Sequence, residues 1–237
     1  MQNAPDVSIV IPIYNEEGIL SASVAGLREA LADFDRTYEI ILSENGSTDS
    51  TVEVATRLME RHDEVRLIRS PIPDYGYALR LAILDAKAPI VICDEIDLCD
   101  VDFYKRALAE IDSGADFVVG SKALDRSLDK RPAYRRLATG VITSLLRIFL
   151  GFKGTDTHGL KAFRKAAVLD VVDKCVVNKD LFASELVIRA ARMKLAVVEI
   201  PVQVIEKRAP SVHLFRRVPN VLKGIARLTW HIRVINR

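Results

Sequence analysis

The chain has 237 residues, of which 49% are hydrophobic and 28% charged, a balance that supports one sizeable core and excludes a disordered chain. Its net charge of +2 is uneven: residues 207–237 hold eight of the 34 Lys and Arg and no Asp or Glu, leaving 26 basic against 32 acidic residues before them. An acidic body argues against a nucleic-acid-binding module, while the basic end calls for an anionic partner. Three cysteines, Cys93, Cys99 and Cys175, with no C-x-x-C pair, exclude a disulfide framework or zinc site and fit a reducing compartment.

The first half reads as alternating strands and helices. Val7–Ile13 is a β-branched run suited to a strand buried on both faces. A helical stretch opened by Asn15, Glu16 and Glu17 runs to about Phe34. Strands then follow at Tyr38–Ser43, Val65–Ser70, Ile90–Asp94 and Phe117–Ser121. Helices fall between them at Ser50 to about His62, Tyr77–Ala86 and Phe103–Ile111. This alternation predicts an α/β fold with a mainly parallel central sheet covered on both faces. The second half is less regular: a helix over Tyr134–Leu150, a loop over Gly151–Gly159, helices over Phe163–Val172 and Phe182–Met193, and a strand over Leu195–Val202. The expected division is a body over 1–206 and a basic segment over 207–237.

The N-terminus lacks a basic leader region, and no apolar run reaches the roughly 18–20 residues that span a bilayer. The expectation is a cytoplasmic protein whose membrane contact, on the inner face, is peripheral.

In parallel sheets ligands bind beyond the carboxyl ends of the strands. Three acidic clusters follow predicted strands: Glu16 and Glu17, Glu44-Asn45-Gly46-Ser47-Thr48-Asp49, and Asp94-Glu95-Ile96-Asp97. Crowded carboxylates need a cation, and hard oxygen ligands with a polyphosphate suit Mg²⁺ or Mn²⁺. The alternative is that these acids cap the helices that follow. Three clusters on one sheet favour the first reading.

The segments VSIVIPIYNEE, ENGSTDST, DEIDL, GSK, DTHGLKAFRK and FASELVIRA, the last followed by VVEIPV, occur in that order. In this the chain resembles family 2 of the inverting glycosyltransferases, which have the Rossmann-like GT-A fold, and within it the polyprenyl- and dolichyl-phosphate sugar transferases. The resemblance spans roughly residues 7–206. It implies a nucleotide-sugar donor, a divalent metal and a lipid-phosphate or saccharide acceptor. It gives Pro12, Tyr14 and Glu16 to the first nucleotide loop, Glu44 to the nucleoside, Gly76 to a glycine-containing donor loop, and Glu95 and Asp97 to the metal and diphosphate. The sequence departs from the family where DDGS becomes ENGS, DxD becomes Glu-Ile-Asp, and Asp74 stands where glycine is common. Glu for Asp adds reach without changing charge, whereas Asn45 removes a charge.

An anionic lipid-phosphate acceptor would need no strong base. A hydroxyl acceptor would need one, and Glu185 and Asp156 are the candidates, each with a structural hydrogen-bonding role as the alternative. An acceptor phosphate would be held from Lys122, Arg131, Arg135, Arg136, Lys161 and Arg164, with Lys122, Lys161 and Arg164 ranked first because they lie in family-like motifs. His158 is a candidate donor in the same loop.

From Val212 to Ile235 apolar residues recur at helical spacing among Arg216, Arg217, Lys223, Arg227, His231 and Arg233, with Trp230 among them. A basic amphipathic helix fits an anionic membrane surface. Packing on the body, or on a second subunit of a homo-oligomer, is the competing use of the same face. Pro219 marks either a weakened early turn or the helix start.

Overall fold

The computed structural model describes residues 4–125, 127–129, 132–203 and 214–235. Seven strands form one sheet: β1 (Val7–Ile13), β2 (Tyr38–Glu44), β3 (Val65–Arg69), β4 (Ile90–Cys93), β5 (Phe117–Ser121), β6 (Lys161–Arg164) and β7 (Val197–Pro201). Their order is β3-β2-β1-β4-β6-β5-β7, parallel except for β6, which runs antiparallel between β4 and β5. The helices are α1 (Leu20–Ala30), α2 (Thr51–Arg61), α3 (Tyr75–Asp85), α4 (Val101–Asp112), α5 (Ala133–Leu150), α6 (Lys165–Lys174), α7 (Phe182–Arg192) and α8 (Leu214–Trp230).

The period of two along β1 divides the core. Val7, Ile9, Ile11 and Ile13 join the apolar cluster with α1, α2 and α4. Val10 points through the other face, into the cluster that holds α3, α5, α6, α7 and α8. A strand buried on both sides is therefore apolar almost throughout. The chain leaves β1 for β2 on one side, and β4 pairs on the other. This reversal opens a crevice at the carboxyl ends of β1 and β4, where such sheets take ligands.

Two expectations change. Phe163 was expected to begin a helix, but it lies in β6, and the helix starts at Lys165. A four-residue strand bounded by Lys161 and Arg164 carries no alternation of its own; it exists because the edges of β4 and β5 offer unpaired backbone groups on both sides. The helix expected from Asn15 begins at Leu20, because the acids before it form a turn bonded to the loop after β2.

The apolar face of the basic C-terminal segment is also accounted for. Ile225, Leu228 and Ile232 are buried in the core cluster with Leu146 and Leu150 of α5. The described part of the segment is thus packed on the body, and this face is not available to a membrane. The helix begins at Leu214 and runs through Pro219. Lys207, Arg208 and Arg237 lie outside the described residues.

Candidate active site

The loops after β1 and β2 are stitched to each other. Asn15, with φ +54°, accepts the Thr48 amide at 2.8 Å, and its own amide donates to Ser47 Oγ at 3.0 Å. The Glu16 amide donates to Thr51 Oγ1 at 2.7 Å. Glu17 accepts the Ser50 amide at 2.9 Å while its amide reaches Asp49 at 3.3 Å. Gly46 turns the chain with φ +74° against Pro73, a conformation that favours glycine.

Glu44 is buried, accepts the Ser47 amide and lies 3.9 Å from Arg69 Nε. Next to it the side-chain carbonyl of Asn45 is buried with no hydrogen-bond partner among the described residues. An orphaned buried acceptor costs about 1–3 kcal/mol, so this position would gain from a ligand N–H. Pro12 is half-buried and Tyr14 is exposed at the mouth of the same loop.

After β4 the acids divide by role. Asp94 is buried and accepts the Glu95 amide at 2.5 Å, the Asp100 amide at 3.0 Å and the Tyr104 hydroxyl. Burial pushes its carboxyl up to about 7 against those hydrogen bonds. It is the pillar of the 95–100 loop. Ile96 is buried in the core, which leaves its neighbours free of the core: Glu95 is exposed and Asp97 half-buried. Solvent reaches Glu95 although protein atoms crowd its carboxyl. That desolvation raises its pKa, Lys122 opposes the rise, and Asp97 adds to it.

Two flanking carboxylates with hard oxygens fit a Mg²⁺ or Mn²⁺ ion that takes its other ligands from substrate phosphates and water. Among the described residues no group of three or more His, Cys, Asp or Glu is poised to hold a metal.

Across the cleft lies a cationic wall. Lys122 follows β5; its amide donates to Asp156 Oδ2 at 3.3 Å, and its Nζ lies 4.0 Å from the same oxygen. Lys161 is buried, with Nζ donating to the Gly159 carbonyl at 2.6 Å. Burial lowers its pKa; Cys93 and Asp156 oppose that and Lys122 adds to it. Asp156 is fully buried and accepts the His158 amide at 2.8 Å. Burial opposes its ionisation, but Lys122 and the hydrogen bonds from the His158 and Lys122 amides outweigh that and hold the carboxyl below the usual range. Glu95 and Lys122 line one small cleft with Leu98, Gly159 and Leu160. The acidic and basic walls therefore meet.

The loop carrying Asp156 is fixed by contacts that sequence reasoning missed. Glu199 on β7 accepts the Thr155 amide at 2.8 Å and the Thr155 hydroxyl at 2.6 Å, and that hydroxyl bonds Ser121 Oγ at 2.7 Å. A Cβ on Gly159 would lie 1.6 Å from the Gly120 carbonyl oxygen, so only glycine fits there. The D-T-H-G-L-K run carried this signal, but not the identity of its partners.

Three expected site residues lie elsewhere or serve the scaffold. Glu185 is fully buried, paired with Arg189 at 2.6 Å, and accepts the Val176 and Val177 amides at 2.9 and 2.8 Å. It is a structural acceptor. Arg164 pairs in register with Ile90, at the start of β4, and donates to the Ile111 carbonyl; this is the opposite rim of the sheet. Gly76 is buried, and a Cβ there would sit 2.5 Å from Phe182 Cβ, so it serves the close approach of α3 to the start of α7. Arg136 is exposed on the first turn of α5, and its Nη1 donates to the Asp129 carbonyl at 3.4 Å. Asp74 caps α3 through the Tyr77 amide at 3.0 Å and accepts the Lys179 amide at 2.7 Å, which accounts for an acid where the resemblance implies glycine. Arg131 and the Arg135 side chain lie outside the described residues.

Comparison with known proteins agrees with this architecture. The chain is 29% identical to glycosyltransferase AglD of Haloferax volcanii over 97% of its own length, but spans only 38% of that protein. It is 31% identical to an uncharacterized glycosyltransferase of Mycobacterium tuberculosis, covering 83% of this chain and 84% of that one. It is 26% identical to dolichyl-phosphate beta-glucosyltransferase ALG5D of Trichomonas vaginalis, over 83% of this chain and 65% of that one. The fold is that of glucosyl-3-phosphoglycerate synthase from Mycobacterium tuberculosis, solved with Mn²⁺, UDP-glucose and phosphoglyceric acid: TM-score 0.70 and 18% identity, covering 95% of this chain and 80% of that one. Residues 8–172 match the model of glycosyl transferase family 2, and the chain belongs to that family.

Proposed function

We propose that this protein transfers a sugar from a nucleotide-sugar donor to a polyprenyl-phosphate-type lipid, with inversion at the anomeric carbon. The observation that carries the choice of acceptor is the state of the two carboxylates nominated as bases. Glu185 has both oxygens engaged in the core. Asp156 has both engaged by His158 and Lys122, and its pKa is held low. With both oxygens committed to hydrogen bonds within the protein, neither is placed to take a proton from an acceptor. A phosphate monoester oxygen is already anionic and attacks without one. The kinship with a dolichyl-phosphate glucosyltransferase supports the same class of acceptor.

In this reading Asn45, Glu44 and Tyr14 hold the nucleoside on the β1–β2 side. Glu95 and Asp97 would hold a Mg²⁺ or Mn²⁺ ion, which would supply positive charge to the leaving group. Lys122 and Lys161 hold the acceptor phosphate, and Asp156 keeps Lys122 aimed at it. One acceptor phosphate oxygen forms the new bond to the anomeric carbon as the bond to the nucleoside diphosphate breaks on the opposite face. The electron pair leaves with the diphosphate, and no proton is transferred.

The test is incubation with a panel of labelled nucleotide sugars, Mn²⁺ and a short polyprenyl phosphate. The expected product is a lipid-linked sugar phosphate of inverted configuration from at least one donor, lost when the metal is chelated. Absence of both transfer and donor hydrolysis across the panel would make the protein a non-catalytic relative.

A further inference from the structure

We infer that the outer faces of α5 and α8 together form a docking surface for an anionic lipid bilayer. Large apolar side chains exposed on the described part of the molecule are not scattered. Of the 14 such residues, eight lie on α5 or on α8 and the π-helical turn His231–Ile235 that continues it. On α5, Tyr134, Leu137, Val141 and Ile148 recur three, four and seven residues apart and so share one stripe. Leu137 and Ile148 are 70% and 67% exposed. On the C-terminal helix, Leu222, Trp230 and Val234 form a second stripe, with Trp230 60% exposed. This stripe is distinct from the face of Ile225, Leu228 and Ile232 that packs on the body. The two helices adjoin: Leu146 and Leu150 share a core cluster with Leu228 and Ile232, and Arg233 Nη2 donates to the Ile148 carbonyl at 3.1 Å.

Charge selects the occupant. Neither helix contains Asp or Glu, and Arg136, Arg147, Lys223, Arg227 and Arg233 stand exposed beside the stripes. A second copy docking through this face about a two-fold axis would set this cationic patch against itself, because the same patch is presented on both sides. An anionic bilayer instead meets the cations with opposite charge and takes the apolar stripes, with Trp and Tyr at the headgroup level. Contact would be interfacial: no described helix is long and apolar enough to cross a membrane. Both ends of α5 lead to the active site, through the segment after Lys122 and through the loop carrying Asp156. The inference thus deepens the lipid-acceptor reading, but its test reads binding and not turnover.

The experiment is co-sedimentation of the full chain with neutral phosphatidylcholine vesicles and with vesicles containing phosphatidylglycerol, at low and high salt. Binding is expected only with the anionic vesicles, and is expected to weaken as salt rises. The double variant Leu137→Glu/Trp230→Glu should lower binding about tenfold or more. Met59→Glu, at a 40% exposed site on α2, should leave it unchanged. All three sites are exposed, so thermal melting should confirm intact folds. Lys223→Glu/Arg227→Glu should also weaken binding and flatten its salt dependence. An intact chain that ignores anionic vesicles, or a Leu137/Trp230 double variant that binds as well as its parent, overturns the proposal. So does a dimer in solution that this double variant dissociates while vesicles go unbound. Vesicle binding without any sugar transfer would sink the catalytic reading and leave this one standing.

Discussion

On the β1–β2–β4 side of the cleft the charged groups are carboxylates on loops stitched to one another by turns and amides. On the β5–β6 side they are lysines, held by buried Asp156 and by the Gly159 carbonyl in a loop that Glu199 fixes from another strand. A donor diphosphate and its ion need acids that a ligand can reach from solvent, as it can the exposed Glu95 and the half-buried Asp97. An acceptor anion needs cations held in a dry wall, where their charge is less screened. The difference in construction matches the difference in task.

The sharpest way to break this comparison is to remove the acid that the acidic wall presents to the ion. Asp97→Ala should lower kcat/KM by at least about 10²–10³-fold, with the fold intact by circular dichroism; ordinary activity would remove the metal role from this wall. Next in size is Glu185→Ala, which leaves Arg189 and two amides unpaired in the core. It should cost about 3–5 kcal/mol in denaturant unfolding, while the fraction that remains folded keeps nearly normal turnover. Loss of turnover at normal stability would restore Glu185 as a base. On the basic wall, Lys161→Met should raise the acceptor KM roughly ten- to a hundredfold, the worth of a charged hydrogen bond, and leave the donor KM alone. The smallest effect is the pH dependence of Asp156. Its folded pKa is lowered, so its contribution to stability is fully present above the unfolded value of about 3.9 and is lost as pH falls through the folded value. The stability gap between the parent and Asp156→Asn should therefore narrow in unfolding curves taken below about pH 4.

The acidic wall was largely legible in the sequence, because each of its clusters follows a largely apolar, buried strand. Val7–Ile13 could be read directly as a strand buried on both faces, and the ENGS and Glu-Ile-Asp segments therefore fell at the right rim. The basic wall was less legible. β6 is short and polar, so its antiparallel insertion could not be seen, and without it the ends of Lys161 and Arg164 could not be told apart. One lies at the carboxyl rim of β4 and the other at its amino rim. Gly76 was placed by motif in the donor loop, but the reason for a glycine is the backbone of Asn178 and the side chain of Phe182, about a hundred residues away. The helical period of the last segment was readable, whereas the choice of which stripe faces the core depended on α5.

The central claim is that the cleft uses an acceptor already carrying negative charge, because the two carboxylates nominated as bases, Glu185 and Asp156, are both committed to hydrogen bonds within the protein. The most direct measurement compares polyprenyl phosphate with polyprenol of the same chain length, each offered with the preferred donor and Mn²⁺. The account predicts transfer to the phosphate and little or none to the alcohol, with the acceptor KM for the phosphate raised in Lys161→Met. Equal transfer to both acceptors, or a rate to the alcohol that falls with Asp156→Asn, would contradict it.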